Sequence, residues 1–189
     1  MAICADFTQP FGLPDGLDSA HGRRLGFFPG STIGNFTPPE AEAFLVRARG
    51  QLGPRGALVV GVDLKKDVAR LNAAYNDAQG VTAAFNLNVL HRVRAELGAE
   101  LDPADFEHHA FYNEVEGRIE MHLRARRDTR IRLDGHRFVF ARGETLHTEY
   151  SHKYSVAEFA ALAARAGFSS EAVWTDPEQL FSMHYLVPT

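Results

Sequence analysis

The chain is nearly devoid of cysteine. Cys4 is the only one in 189 residues, so an internal disulfide is impossible and a reducing, cytoplasmic setting is expected. No apolar run approaches the ~20 residues that span a bilayer, so no membrane partner is expected. The N-terminus also lacks the basic and long apolar regions of a signal peptide. An excess of positive charge is missing too. The formal net charge is −4, which argues against a nucleic-acid partner bound through phosphate neutralisation. The one local basic run, Arg124-Ala125-Arg126-Arg127, reads as a solvated loop. Nine histidines are present, yet there is no Cys-x-x-Cys pair, and His147 and His152 stand five apart on a strand-like segment, facing opposite sides. No metal site is expected. Internal repeats and low-complexity segments are absent as well.

What is there suffices for a sizeable core: 45% of residues are hydrophobic and 11% aromatic. The length fits one domain, or one domain with a modest insertion. Residues 2–7 read as the tail of a buried strand, followed by turns carrying Pro10, Gly12, Pro14, Gly16 and Gly22. Residues 24–28 form a short strand. Thr37-Pro38-Pro39-Glu40 matches a capping box with proline at the first helical position, and Ala41, Phe44, Leu45, Ala48 and Leu52 share one face of the helix that Gly53 stops. The apolar run at 56–63 has the pattern of a central parallel strand buried on both faces.

From there the character changes. Helices are expected at 67–76 and 80–97, the second placing Phe85, Val89 and Val93 among apolar neighbours. Antiparallel strands follow at 106–113, 118–124, 129–133 and 137–140, with turns at Glu116-Gly117 and Asp134-Gly135. An extended segment at 144–154 leads to a helix capped by Ser155 and closed by Gly167, then strands at 170–175 and 183–187.

Four places carry candidate chemistry. The stretch from Phe27 to Asn35 joins a strand to a helix, the position where open α/β sheets hold ligands. Gly30 and Gly34 let backbone approach a ligand, and Asn35 offers a donor and an acceptor. On its own residues the same loop is equally an ordinary strand-to-helix turn. Tyr75 ends a helix with polar neighbours, or simply packs on the core with its hydroxyl in water. Met121, in the alternating Arg118–Leu123 segment, is read as core filler. Glu149 and Ser151, two apart on a strand, fall on one face, where a carboxylate and a hydroxyl can grip the two nitrogens of an imidazole. The alternative is an exposed polar face on an edge strand.

Together these segments resemble one family, the S-adenosylmethionine-dependent histidine Nα-methyltransferases of ergothioneine biosynthesis. The carrying stretches are Phe-Pro-Gly-Ser-Thr-Ile-Gly-Asn at 28–35, Gly-Val-Asp-Leu-Lys-Lys-Asp at 61–67, and Tyr-Asn-Asp at 75–77. Gly-Val-Thr-Ala-Ala-Phe-Asn-Leu-Asn at 80–88, Arg-Ile-Glu-Met at 118–121, Thr-Glu-Tyr-Ser at 148–151 and Trp-Thr-Asp-Pro at 174–177 complete them. The resemblance implies an α/β fold: a partial class I methyltransferase (Rossmann-like) sheet from residues 1–66 and 154–189, with an inserted α+β substrate-binding subdomain at 67–153. It implies that Asn35 and Tyr75 hold the α-carboxylate of L-histidine, that Gly30 lies near its α-amino group, and that Glu149 and Ser151 grip its imidazole beside Met121. Asp6 and Phe7 would contact the adenine of S-adenosyl-L-methionine. No catalytic residue in the covalent sense is implied. The implied activity is methyl transfer to the α-amino group, repeated to trimethylhistidine (hercynine). Two alternatives stay open: a related methyltransferase acting on another amine, and a non-catalytic histidine-binding remnant.

One departure stands out. The family's Gly-rich loop after the first strand and its acidic residue ending the second are not in this sequence. The expectation is therefore a truncated reading frame or gene fragment, with a hydrophobic sheet edge that calls for a partner.

Overall fold

The computed structural model describes residues 2–9, 11–12 and 22–189. Of the expected N-terminal turn residues, Pro10, Pro14 and Gly16 lie outside the described residues. The chain divides into two compact units, Met1–Lys65 with His152–Thr189, and Lys66–Ser151.

The first unit is built on a four-stranded sheet. Strand β1 (Leu25–Phe28) leads through a 3-10 turn (Thr32–Asn35) and helix α1 (Pro38–Leu52) to β2 (Ala57–Asp63), which pairs parallel with β1. Helix α1 starts where its signals place it: the Glu40 carboxylate accepts from the Thr37 backbone N–H at 2.8 Å and from the Thr37 hydroxyl at 2.7 Å. Gly53 ends it at φ 73°, a left-handed value that glycine takes without a Cβ clash. After the second unit the chain returns through α4 (Val156–Arg165), β8 (Phe168–Thr175) and β9 (Phe181–Pro188). The sheet order is β1-β2-β9-β8. Strand β9 inserts antiparallel between β2 and β8, so the expectation for β2 holds on one edge only: it is central and buried, but parallel to β1 and antiparallel to β9. Ile33, Leu45, Val60, Phe159, Phe168 and Leu186 anchor the core of this unit.

The expected strand at 2–7 is not there. Those residues are exposed and without regular structure. A strand needs a partner ladder, and the sheet order gives these residues none. Instead Asp6 closes a turn, its Oδ1 accepting from the Thr8 N–H at 2.9 Å and the Thr8 hydroxyl at 2.7 Å. Among the described residues the outer edge of β1 bears no strand, and Leu25 and Phe27 beside it are 63% and 66% exposed. An apolar open edge invites self-association. Phe27→Lys is expected to shift the chain toward monomer in size-exclusion chromatography; an unchanged elution profile would contradict this.

The second unit packs α2 (Val68–Tyr75) and α3 (Val81–Leu97) against a sheet of β3 (Phe106–Asn113), β4 (Arg118–Ala125) and β7 (Thr145–His152), in the order β3-β4-β7. A hairpin of β5 (Thr129–Leu133) and β6 (His136–Phe140) turns at Asp134 and Gly135, both with positive φ, as an Asp-Gly turn requires. Helix α3 bears out the expected face only in part: Val93 packs on the core of this unit beside Leu90, but Phe85 and Val89 do not. Phe85 is 63% exposed and Val89 is exposed too, while Leu90 and Asn86 are buried. On the buried side Asn86 is hydrogen-bonded to the sheet, next to the packed Leu87, Leu90 and Val93. The run 124–127 is also more than a solvated loop. Arg124 lies in β4 and pairs with Glu107 of β3 at 2.6 Å, Arg126 donates to the Phe106 carbonyl at 3.2 Å, and Arg127 pairs with Asp105. Among the described residues no helix is long and apolar enough to cross a membrane.

Candidate active site

The predicted residues fall in both units. In the first, Gly30 and Asn35 bracket the loop after β1. Gly30 has φ 72° and Ser31, unusually for a residue with a side chain, φ 58°. Ser31 is held there at both ends: its Oγ accepts from the Asp63 N–H at 2.9 Å, and its carbonyl accepts from the Gly34 N–H at 2.8 Å. The glycines serve close approach. A Cβ on Gly34 would sit 2.8 Å from the His152 carbonyl oxygen, and one on Gly61 would sit 3.2 Å from the Gly30 nitrogen and 2.8 Å from the Phe181 ring. Asn35 follows the buried pair Ile33 and Gly34 and is itself exposed. The loop thus presents the Asn35 amide and the exposed Gly30 backbone at the carboxyl end of β1, while Gly34 is buried against the His152 main chain.

Asp63, at the carboxyl end of β2, does more than support Ser31. Its Oδ2 lies 2.6 Å from Lys153 Nζ, and the Lys153 side chain is 1% exposed. The segment carrying Lys153 is stitched to β2 by backbone as well: the Tyr154 N–H donates to the Asp63 carbonyl at 3.2 Å, and the Lys65 N–H to the Tyr154 carbonyl at 3.0 Å. The sequence reading missed this pair, because ninety positions separate the partners and a charge at the end of an apolar run reads as a strand terminus.

Phe7 packs edge-on against Phe28, ring centroids 5.7 Å apart, and remains 44% exposed. It borders an apolar cavity of about 440 Å³ shared with Phe27, Phe28, Phe44, Leu52 and Leu58. Asp6 keeps Oδ2 clear of the Thr8 bonds. Those two bonds hold its carboxyl below the usual range, the hydroxyl of Thr8 first and its N–H second. An ionised acceptor beside a part-exposed ring fits the amino edge and the face of an adenine.

In the second unit Tyr75, Met121 and Ser151 come together. The Tyr75 hydroxyl donates to Ser151 Oγ at 2.8 Å, and Tyr75 packs on the cluster of Leu71, Ala110, Ile119 and Met121. The hydroxyl is therefore not simply in water. Glu149 is half-buried, two residues before Ser151. The strand does not alternate strictly here. Thr148 and Ser151 both reach the helix side, through Asn86 and Tyr75, while His147 and Tyr150 meet on the opposite side with ring centroids 4.0 Å apart. Three-residue spacing on each face marks an irregularity between 148 and 151, so the shared face expected for Glu149 and Ser151 does not follow from the spacing alone.

On that opposite side Arg118 stacks over the Tyr150 ring at 4.0 Å and donates to Glu120 at 2.9 Å. Burial works to raise the Glu120 carboxyl. Bonds from Arg118, His122 and Asn113 outweigh it and hold the group below its ordinary value. His147 and Glu149 also form a His-x-Glu spacing, but the His147 Nε2 bonds the Glu149 carbonyl at 3.0 Å. Among the described residues no group of three His, Cys, Asp or Glu could hold a metal ion.

A family profile describing histidine-specific, SAM-dependent methyltransferases matches residues 1–188. The chain belongs to this family. Among relatives of the histidine-specific methyltransferases, it is 44% identical over 188 residues to the histidine N-alpha-methyltransferase of Mycolicibacterium smegmatis, covering 98% of the chain and 57% of the relative. The enzyme of the same name from Mycobacterium tuberculosis is 43% identical, over 93% of the chain and 54% of the relative. Ergothioneine biosynthesis protein 1 of Neurospora crassa is 31% identical over 83% of the chain, but only 18% of its own length is matched. The chain thus spans about half the length of the mycobacterial relatives.

Proposed function

We propose that this chain is the part of an S-adenosylmethionine-dependent methyltransferase that binds L-histidine and presents its α-amino group for methylation, with trimethylhistidine for ergothioneine biosynthesis as the product. The observation that carries the reading is the Tyr75–Ser151 hydrogen bond over Met121, which gathers three of the family-implied pocket residues in one place. The near relatives that share the histidine-specific name support the same substrate.

The residue types suit the task. Histidine has a carboxylate, an amine and an imidazole, and each needs a different partner. The Asn35 amide donates to the carboxylate, and the Tyr75 hydroxyl can turn from Ser151 to do the same. Glu149 accepts from one imidazole N–H, while Ser151 Oγ donates or accepts at the other nitrogen. The exposed backbone at Gly30 leaves room beside the amine. Asp6 and Phe7 would hold the adenine of S-adenosylmethionine, which when bound supplies an electrophilic methyl group on a sulfonium sulfur. The amine must be neutral to use its lone pair, so the chain's contribution is to hold it unprotonated, oriented and dry. The cytoplasm is the compartment this reading assigns, with Cys4 a free thiol.

Titration calorimetry with L-histidine, together with mass spectrometry of products formed with S-adenosylmethionine, tests the proposal. Histidine binding with mono-, di- and trimethylated products is expected from the protein that contains this chain. Equal turnover of unrelated amines would sink the histidine assignment. Glu149→Ala removes a charged acceptor from the imidazole and is expected to weaken histidine binding roughly 30-fold; unchanged affinity would refute its role.

A further inference from the structure

Asn86 is 1% exposed on α3, and every polar atom of its side chain is engaged. Its Nδ2 donates to the His122 carbonyl at 3.0 Å, and it lies 3.0 Å from His108 Nδ1. A carbonyl only accepts, which fixes the amide nitrogen on that side. The second Nδ2 proton then makes His108 Nδ1 an acceptor, so the His108 proton sits on Nε2. That nitrogen is 2.8 Å from the Tyr75 carbonyl oxygen, where a donor is needed. On its other side, Asn86 Oδ1 accepts from the Thr148 hydroxyl at 2.8 Å, a hydroxyl also 2.9 Å from the Met121 carbonyl.

These bonds close a ring. From Asn86 one arm runs through His108 to Tyr75; the other runs through Thr148 and along β7 to Ser151. The two arms meet at the Tyr75–Ser151 hydrogen bond. We propose that Asn86 and His108 are positioning residues for the amino-acid pocket, setting Tyr75 from one side and the 148–151 strand from the other. This rests on Tyr75 and Ser151 being pocket residues, as proposed above.

A general scaffolding role is already filled by other residues. Asn76 Nδ2 donates to the Ala110 carbonyl at 3.1 Å, and Asn72 Oδ1 accepts from the Tyr112 N–H at 2.8 Å, so α2 is tied to β3 independently of Asn86. What depends on Asn86 and His108 is the local setting of Tyr75 and Thr148, and beyond them Ser151.

The test compares Asn86→Asp, His108→Leu and His108→Gln with the unaltered protein by histidine calorimetry and thermal melting. Glutamine can keep a donor at the Tyr75 carbonyl and leucine cannot. Asn86→Asp and His108→Leu are expected to weaken histidine binding about tenfold, with His108→Gln recovering most of the loss. Equal loss in His108→Gln and His108→Leu, or unaltered binding in His108→Leu, would overturn the proposal. If Asn86→Asp does not fold, the His108 pair decides alone. Nitrogen-15 NMR of the His108 ring must show a proton on Nε2 and none on Nδ1; the reverse tautomer overturns the relay. If the unaltered protein binds no histidine, the functional reading fails separately. The relay is then judged by exchange of the Tyr75 hydroxyl proton, which must quicken in the His108→Leu protein.

Discussion

Lys153→Met is expected to destabilise the protein by about 3 kcal/mol, the lower end of the range for breaking a buried ion pair from one side. The Lys153 side chain is 1% exposed and Asp63 22%, at a separation of 2.6 Å. Methionine fills much of the same volume, so little of the cost comes from lost packing. It comes from removing the buried Lys153 charge that faces the Asp63 carboxylate at 2.6 Å. Removing both charges, with Asp63→Leu added, should recover part of the loss, because two desolvated charges are replaced by packing groups. Urea unfolding midpoints measure all three proteins. A single variant within about 0.5 kcal/mol of the unaltered protein would show that water, and not burial, sets this pair's energy.

The second large effect is on the acid side of the stability profile. His184 is fully buried in β9, with Ser182 Oγ 3.0 Å from Nε2 and Ser170 Oγ 3.4 Å from Nδ1. Burial pushes its pKa down to about 4. Because the folded value lies below the unfolded one, the unfolded chain takes up a proton first as pH falls. Stability is therefore full above about pH 6.5 and is lost on the way down to about 4, a total of roughly 3 kcal/mol, with about 2 of it gone by pH 5. His109 and His147, both lowered mainly by burial, act in the same direction. Held carboxylates such as Asp77, at about 2, lose their contribution only at lower pH. Denaturant curves at pH 7.5 and 5.0 should show the drop, and His184→Gln should flatten it. An equal drop in that variant would assign the acid sensitivity elsewhere.

Much of this fold could be read from local chemistry. Thr37 with Glu40, Ser155 with Glu158 and Asp134 with Gly135 are short-range signals, and the corresponding caps and turn stand where their residue types put them. The α/β class followed from the two apolar strands around α1. What escaped was set by partners distant in sequence. Asn86 stands in the sequence only as one position of the 80–88 stretch, because its acceptors and donor come from β3, β4 and β7, and Phe85 beside it is exposed. Residues 2–7 have the apolar character of a strand, but propensity does not make a ladder without a neighbour. The irregularity in β7 is invisible in composition, since it shows only in which partners the side chains meet: His147 with Tyr150 on one side, Thr148 and Ser151 with Asn86 and Tyr75 on the other.

The two close-approach glycines carry a final consequence. At Gly34 and Gly61 the loop is located by main chain meeting main chain, with the His152 carbonyl on one side and the Gly30 nitrogen on the other. The Ser31 hydroxyl on the Asp63 N–H and the buried Ile33 complete that anchoring, and Asn35 is exposed beyond them. On the function proposed above, exchanging Asn35 would alter the contact with substrate while the scaffold beneath stays in place. On that proposal, selectivity and architecture are separable in this loop, and a change of substrate need not begin with a change of shape.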